Sequence, residues 1–321
     1  MHHALQIIID AELAGIPAAE LARAARDVTS AYRGERSANA RFLHSAAHRA
    51  AYLATRMPAT YAAIQSTLRR LLEAVPTFTP ESMLDLGAGP GTATLAAQDT
   101  FNTLKQFTLI ERDPAMLDFA RKLLANKAIS GTQPLILNDD LSRASFPNAD
   151  LVLCAYALNE LSEPFRNALV QRAWAATKQA LVLIEPGSRA GFSNILAARQ
   201  YFIETGDATI AAPCPGHMPC SLAEVGDWCH FAARVQRTVL HRRLKDASLS
   251  YEDEKFSYVI AVKPSLAAQP ANTRIVRRPE KLKGHVKLQL CTIDGLKSTT
   301  VTKKNGADYK RARDAEWGDA F

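Results

Sequence analysis

Two groups of residues in this 321-residue chain have the types and spacing to do chemistry. The first is Asp85-Leu86-Gly87-Ala88-Gly89-Pro90-Gly91, which follows a short apolar run at 83–86 and precedes a helical stretch at 92–99. Glycines between a strand and a helix let the backbone approach a ligand closely, and the helix start offers free N–H groups. The spacing is G-x-G-x-G, not the G-x-G-x-x-G of a dinucleotide fold. Glu111 closes the next apolar run, 107–110. Its two carboxylate oxygens suit the paired hydroxyls of a ribose.

The second group is the cysteines, of which there are five. Cys214, Cys220 and Cys229 fall within sixteen residues, and Cys291 stands apart in a basic segment. In a reducing compartment such clustering points to metal before disulfide. Four thiolates hold zinc or an iron–sulfur cluster. The intervals of five and eight residues are wide for a zinc knuckle and suit a larger cluster better. The C-x₃-C-x₂-C triad of radical chemistry is absent. His217 and His230 read as structural residues before they read as alternative ligands. Cys154 lacks an adjacent proline and reads as a buried strand thiol rather than a nucleophile.

The elements that must position these residues are legible from periodicity. Residues 18–28, 38–54 and 59–73 carry apolar residues at helical spacing, which makes residues 1–78 a helical N-terminal region. Its arginines, Arg33, Arg36, Arg41, Arg49 and Arg56, read either as the outer face of a cap or as a phosphate-facing surface. From residue 79 to 210, apolar strands at 83–86, 107–110, 135–137, 151–154 and 180–184 alternate with helical stretches at 92–99, 114–126 and 164–177. That alternation predicts an α/β unit, a parallel sheet covered on both faces. A further helix is expected at 192–206. Residues 211–321 form a cysteine-bearing, basic module. Strand-rich segments are expected at 234–262, an exposed connection at 264–273, and a small β element at 274–277, 285–292 and 298–302.

Charge is unevenly placed. Residues 1–262 hold 26 Lys and Arg against 26 Asp and Glu, whereas residues 263–321 hold 13 against 6 and supply the whole net charge of +7. A neutral body with a basic tail suggests a polyanionic partner, most simply nucleic acid. At 47% hydrophobic and 22% charged, the composition excludes a disordered chain and a disulfide-rich scaffold. No apolar run reaches membrane-spanning length. Neither a signal sequence nor a transit sequence is readable, so the expected compartment is the cytoplasm.

The glycine loop with Asp85 and Glu111 resembles the class I S-adenosylmethionine (SAM) methyltransferases, with their Rossmann-like domain. The likeness implies that Gly87, Gly89 and Gly91 line the methionine side of SAM and that Glu111 binds its ribose. It also implies that Asp139 or Asp140 lies near the adenine, and that Ala155, within Cys154-Ala155-Tyr156-Ala157, meets the cofactor after the fourth strand. The Asn-Pro-Pro-Tyr motif of amino-group methyltransferases is absent there, and neither Asn159 nor Glu160 identifies itself as a base.

A more specific likeness spans nearly the whole chain. It is carried by Pro213-Cys214-Pro215-Gly216-His217, Cys220 and Asp227-Trp228-Cys229-His230-Phe231. Arg56-Met57-Pro58-Ala59-Thr60-Tyr61, Ala157-Leu158-Asn159-Glu160-Leu161, Ile184-Glu185-Pro186-Gly187 and Glu316-Trp317-Gly318-Asp319 add to it. These motifs resemble the methyltransferase-like assembly proteins of the small ribosomal subunit, and the missing organelle-targeting extension is as expected of their bacterial branch. The resemblance implies a [4Fe–4S] cluster on Cys214, Cys220, Cys229 and Cys291, with zinc as the alternative. It also implies association with the small subunit and its rRNA during assembly. Methyl transfer to rRNA is a second expectation, and methylation of a small molecule or protein a third.

Overall fold

The computed structural model describes residues 3–32, 45–125, 133–244 and 248–321. Four helices come first: α1 (His3–Leu13), α2 (Ala18–Tyr32), α3 (Ala46–Thr55) and α4 (Met57–Ala74). Ser45 caps α3, its side chain accepting the His48 N–H at 3.2 Å. Pro58 sits in the first turn of α4, where its missing N–H costs nothing. Tyr61, Ile64, Leu68 and Leu71 recur at helical spacing and bury one face of α4 in the main core.

Strands and helices then alternate through β1 (Ser82–Leu86), α5 (Thr92–Gln98), β2 (Gln106–Glu111), α6 (Pro114–Ala125), β3 (Leu135–Asn138), β4 (Ala149–Ala155), α7 (Glu163–Ala176), β5 (Thr177–Pro186) and α8 (Arg189–Thr205). They continue with β6 (Thr209–Ala212), α9 (Ser221–Glu224), β7 (Phe231–Gln236), α10 (Val239–Leu244) and β8 (Tyr251–Val262). The sheet order is β3-β2-β1-β4-β5-β8-β6, with β7 also pairing with β8. Strands β1 to β5 are parallel, and β8 enters antiparallel between β5 and β6. This is the Rossmann-like sheet of the class I methyltransferase fold. Residues 211–262 thus contribute β7 and β8 to the main sheet as well as three cysteines.

The central strands are predominantly apolar because both faces are covered. Met116, Phe119, Ala120 and Leu123 of α6 join the core on one face; Leu169, Val170, Ala173 and Trp174 of α7 join the core on the other. The strand order turns at β1 and β4, and the crevice outside their carboxyl ends is where such sheets bind ligands.

The rest is a small second unit: β9 (Thr273–Ile275), β10 (Glu280–Leu282), β11 (His285–Thr292), β12 (Gly295–Thr302) and α11 (Ala307–Asp314). Strands β10, β11 and β12 are antiparallel neighbours, and β9 pairs with β11. Its core is Ile275, Val286, Leu288, Leu290, Val301, Ala312 and Ala315. Strand β10 and helix α11 were not anticipated. Among the described residues no helix is long and apolar enough to cross a membrane.

Arg33, Arg36 and Arg41 lie outside the described residues. Arg56 is not a phosphate-facing residue. It is buried, and its guanidinium pairs twice with Glu254 of β8, at 2.7 and 3.0 Å. A buried cation needs a fixed anion, and this one ties the start of α4 to the sheet.

Candidate functional site

The glycine loop leaves β1 at Leu86. Gly87 and Ala88 donate their N–H groups to the Ile110 carbonyl at 2.9 and 3.1 Å, which binds the loop to the end of β2. Gly87 has φ +70°, and a Cβ there would meet the Cβ of Ala157 at 2.8 Å. Only glycine allows the loop to lie so close to the segment after β4. Gly91, at φ +81°, precedes α5 as its N-cap.

Asp85 is buried beneath the loop. Its carboxylate accepts the Thr94 N–H at 3.1 Å and the Thr94 hydroxyl at 2.8 Å, joining β1 to α5. Burial pushes its pKa up to about 7. Glu111 accepts the Gly89 N–H at 3.0 Å on one oxygen and the Asp113 N–H at 2.8 Å on the other. Burial raises its pKa too. With the Arg112 N–H also directed at it, the carboxylate keeps acceptor capacity for a ligand hydroxyl. Asp139 is held by Arg143 at 3.0 Å, while Asp140 accepts the Ser142 N–H at 2.9 Å and its hydroxyl at 2.7 Å. The Asp139 N–H donates to the Glu111 carbonyl at 3.2 Å, so the end of β3 adjoins Glu111. Ala155 ends β4 opposite Ile184.

The segment after β4 is committed elsewhere. Tyr156 sits at φ +61° and donates its hydroxyl to Glu254 at 3.1 Å. Asn159 accepts from Asn194 at 2.7 Å, and Glu160 pairs with Arg112 at 3.0 Å. Glu185, named in the sequence only as part of the 184–187 motif and given no role there, is fully buried at the end of β5. It accepts the Leu158 N–H at 3.0 Å, and burial pushes its pKa up to about 8. Cys154 is buried in the sheet.

The four remaining cysteines converge. Cys214 follows β6, Cys220 precedes α9, Cys229 precedes β7 and Cys291 lies on β11. All four line one cavity of about 40 Å³ between α8, the main sheet and the small unit. Its other walls are apolar side chains such as Phe192, Ile195 and Leu222, together with Arg199, Arg274 and Tyr258. Burial and the neighbouring thiols raise the pKa of Cys229, and push Cys291 up to about 12. Arg199 donates to the Cys214 sulfur at 3.2 Å. Arg274, only 2% exposed, is the cross-strand neighbour of Cys291 and donates to the carbonyls of Pro213 at 3.2 Å and Gly318 at 3.0 Å. Among the described residues, no group of three or more His, Cys, Asp or Glu side chains is placed to hold a metal ion. His217 accepts the Ile210 N–H at 3.3 Å, and His230 stacks on Trp228 with ring centroids 5.2 Å apart.

The small unit also carries exposed cations. Lys281 lies on β10 and Lys283 in the β10–β11 turn, and Lys303 and Lys304 follow β12. The Lys303 N–H donates to the Gly284 carbonyl at 3.2 Å, which brings these four lysines to one end of the sheet.

Comparison with known proteins gives a consistent result. Residues 46–321 match the family model described as mitochondrial small ribosomal subunit Rsm22. The chain is 30% identical over 286 residues to the human mitochondrial ribosome assembly protein METTL17, covering 84% of this chain and 61% of that protein. It is 26% identical over 324 residues to the mitochondrial Rsm22-cox11 tandem protein 2 of Schizosaccharomyces pombe, covering 84% and 42%. The chain therefore spans less than two thirds of either relative. Among solved structures it is similar to magnesium protoporphyrin IX methyltransferase from Synechocystis with bound SAM. That match has 13% identity and a TM-score of 0.40, and covers 64% of this chain and 80% of that one.

Proposed function

The chain belongs to the mitochondrial small ribosomal subunit Rsm22 family, and on that premise we propose a specific role. It is a SAM-binding, methyltransferase-like protein that holds a [4Fe–4S] cluster and acts on small-subunit rRNA during ribosome assembly. The observation that carries this reading is the meeting of Cys214, Cys220, Cys229 and Cys291 around one cavity.

The donor set fits the cluster. Four thiolates are the ligand set of a [4Fe–4S] cubane, and the four cysteines line one cavity, where Cys214 and Cys220 lie close enough to raise the pKa of both Cys229 and Cys291. Four thiolates also bring negative charge into a dry site. Arg199, which donates to the Cys214 sulfur at 3.2 Å, supplies part of the offset, and Arg274, shared with Glu73 at 3.6 Å, lies across the strand pair from Cys291. The cluster's contribution would be cross-linking: three thiolates come from the main body and the fourth from the basic unit, so its binding energy becomes docking energy.

SAM is supported by the crevice. The glycine loop and Glu111 stand at the turn of strand order, where the Glu111 carboxylate, held by the Gly89 and Asp113 N–H groups, faces the crevice as an acceptor for ribose hydroxyls. Methyl transfer has less support, because Tyr156, Asn159 and Glu160 all spend their polar groups on protein partners. The RNA contact is assigned to the basic end formed by Lys281, Lys283, Lys303 and Lys304.

The test is Cys220→Ser. It should lose the cluster and weaken binding to small-subunit RNA. Unchanged RNA affinity in a cluster-free variant would refute the coupling. Radiolabelled methyl transfer to immature small-subunit particles, abolished by Glu111→Ala, would instead establish a catalytic role.

A further inference from the structure

One polar side chain in the cysteine cavity has no role in holding ligands. Tyr258 of β8 is 3% exposed and lines the cavity with the four cysteines. Its hydroxyl has no hydrogen-bond partner among the described residues. A buried donor left unmatched costs about 1–3 kcal/mol, so such a group calls for a partner. The neighbouring polar groups are engaged elsewhere: Arg70 pairs with Glu73 and with Asp319, each at 2.7 Å, and Glu73 also faces Arg274 at 3.6 Å. Ser257 donates to the Cys229 carbonyl at 2.8 Å. Arg274 donates to Pro213 and Gly318, and Arg199 to Gly216, Met218 and Cys214. The Tyr258 ring is flanked by Phe231 and Phe256, with centroids at 5.1 and 5.8 Å, which hold it in place. Burial pushes its pKa up to about 12, so at neutral pH it remains an O–H donor.

We infer that Tyr258 donates its hydroxyl hydrogen bond to a sulfur of the group held by Cys214, Cys220, Cys229 and Cys291, and thereby raises that group's reduction potential. The inference rests on the cluster reading above. A donor to sulfur withdraws charge, and the reduced form, being more negative, gains more from it. Arg199 and Arg274 act in the same direction through their charge. Reduction here is a one-electron transfer from a dithionite-class reductant into the iron–sulfur core. No bond breaks, and the proton stays on the phenol oxygen.

The experiment compares wild-type protein with Tyr258→Phe, purified anaerobically. Iron and sulfide are assayed first, and each protein is then titrated through mediators with visible and paramagnetic-resonance detection. The variant should keep its iron, and its reduction should become about tenfold less favourable, a fall of about 59 mV for one electron. A variant with full iron and the wild-type potential overturns the role of Tyr258 while leaving the cluster reading intact. Wild-type protein without iron and sulfide overturns both. If the variant does not fold, wild-type protein carrying tyrosine labelled with ¹⁷O at the phenol decides the matter. The reduced cluster should show an electron–nuclear coupling to that oxygen, and its absence overturns the inference.

Discussion

Removing the Arg56–Glu254 pair should destabilise the fold in a way that depends on which partner is lost. Both side chains are about nine-tenths buried, at 9% and 10% exposure, and the contact is bidentate at 2.7 and 3.0 Å. Breaking a buried pair from one side costs about 3–5 kcal/mol, because the survivor keeps its charge without compensation. Glu254→Gln strands a guanidinium that cannot release its proton, so the full cost applies at any working pH. It also weakens the acceptor for the Tyr156 hydroxyl. Arg56→Met strands a carboxylate instead. At about 2 °C per kcal/mol for a chain this long, Glu254→Gln should lower Tm by about 6–10 °C. The double variant Arg56→Met/Glu254→Leu leaves no stranded charge and should recover most of that loss. Thermal unfolding followed by circular dichroism measures all four proteins. Single variants within 1 °C of wild type, with additive effects in the double, would refute the argument that this charge pair fastens α4 to the sheet.

Gly87→Ala places a Cβ at φ +70° and 2.8 Å from that of Ala157. SAM affinity measured by calorimetry should fall at least tenfold, with partial recovery in Gly87→Ala/Ala157→Gly; unaltered binding would remove the loop from the SAM site. Asp85 and Glu185 have folded-state pKa values raised by burial to about 7 and about 8. Their contribution to stability is complete below the ordinary carboxylate range and is lost as pH rises through 7 and 8. Thermal unfolding should show a Tm lower at pH 9 than at pH 6, with a smaller drop in Glu185→Gln, and an identical drop in that variant would count against it. For RNA binding, changing Lys283, Lys303 and Lys304 to alanine should reduce the slope of log affinity against log salt by roughly 2–3. An unchanged slope would move the RNA contact off this end of the sheet.

Local patterns and distant contacts were not equally legible in the sequence. The strands at 83–86, 107–110 and 151–154 carry their apolar character in consecutive residues, and the glycine loop is complete within seven. Pairing across the chain has no such signature. The segment at 234–262 reads as strand-rich, yet nothing local says that β8 enters antiparallel between β5 and β6. Arg56 looks like one more arginine on an Ala/Arg helix because its partner lies 198 residues away. Arg274 counts as tail charge until its burial beside Cys291 is seen. Cys291 itself joined the other cysteines only through family resemblance, since the intervening sequence gives no ligand spacing. Tyr258 was hidden inside an apolar strand, and only its unpartnered hydroxyl in the folded chain distinguishes it.

The central claim is that the cysteine cavity holds a [4Fe–4S] cluster, and the most direct measurement is the iron, sulfide and zinc content of anaerobically purified protein together with its visible spectrum. The account predicts about four irons and four sulfides per chain with brown absorbance. About one zinc per chain and no sulfide would contradict it.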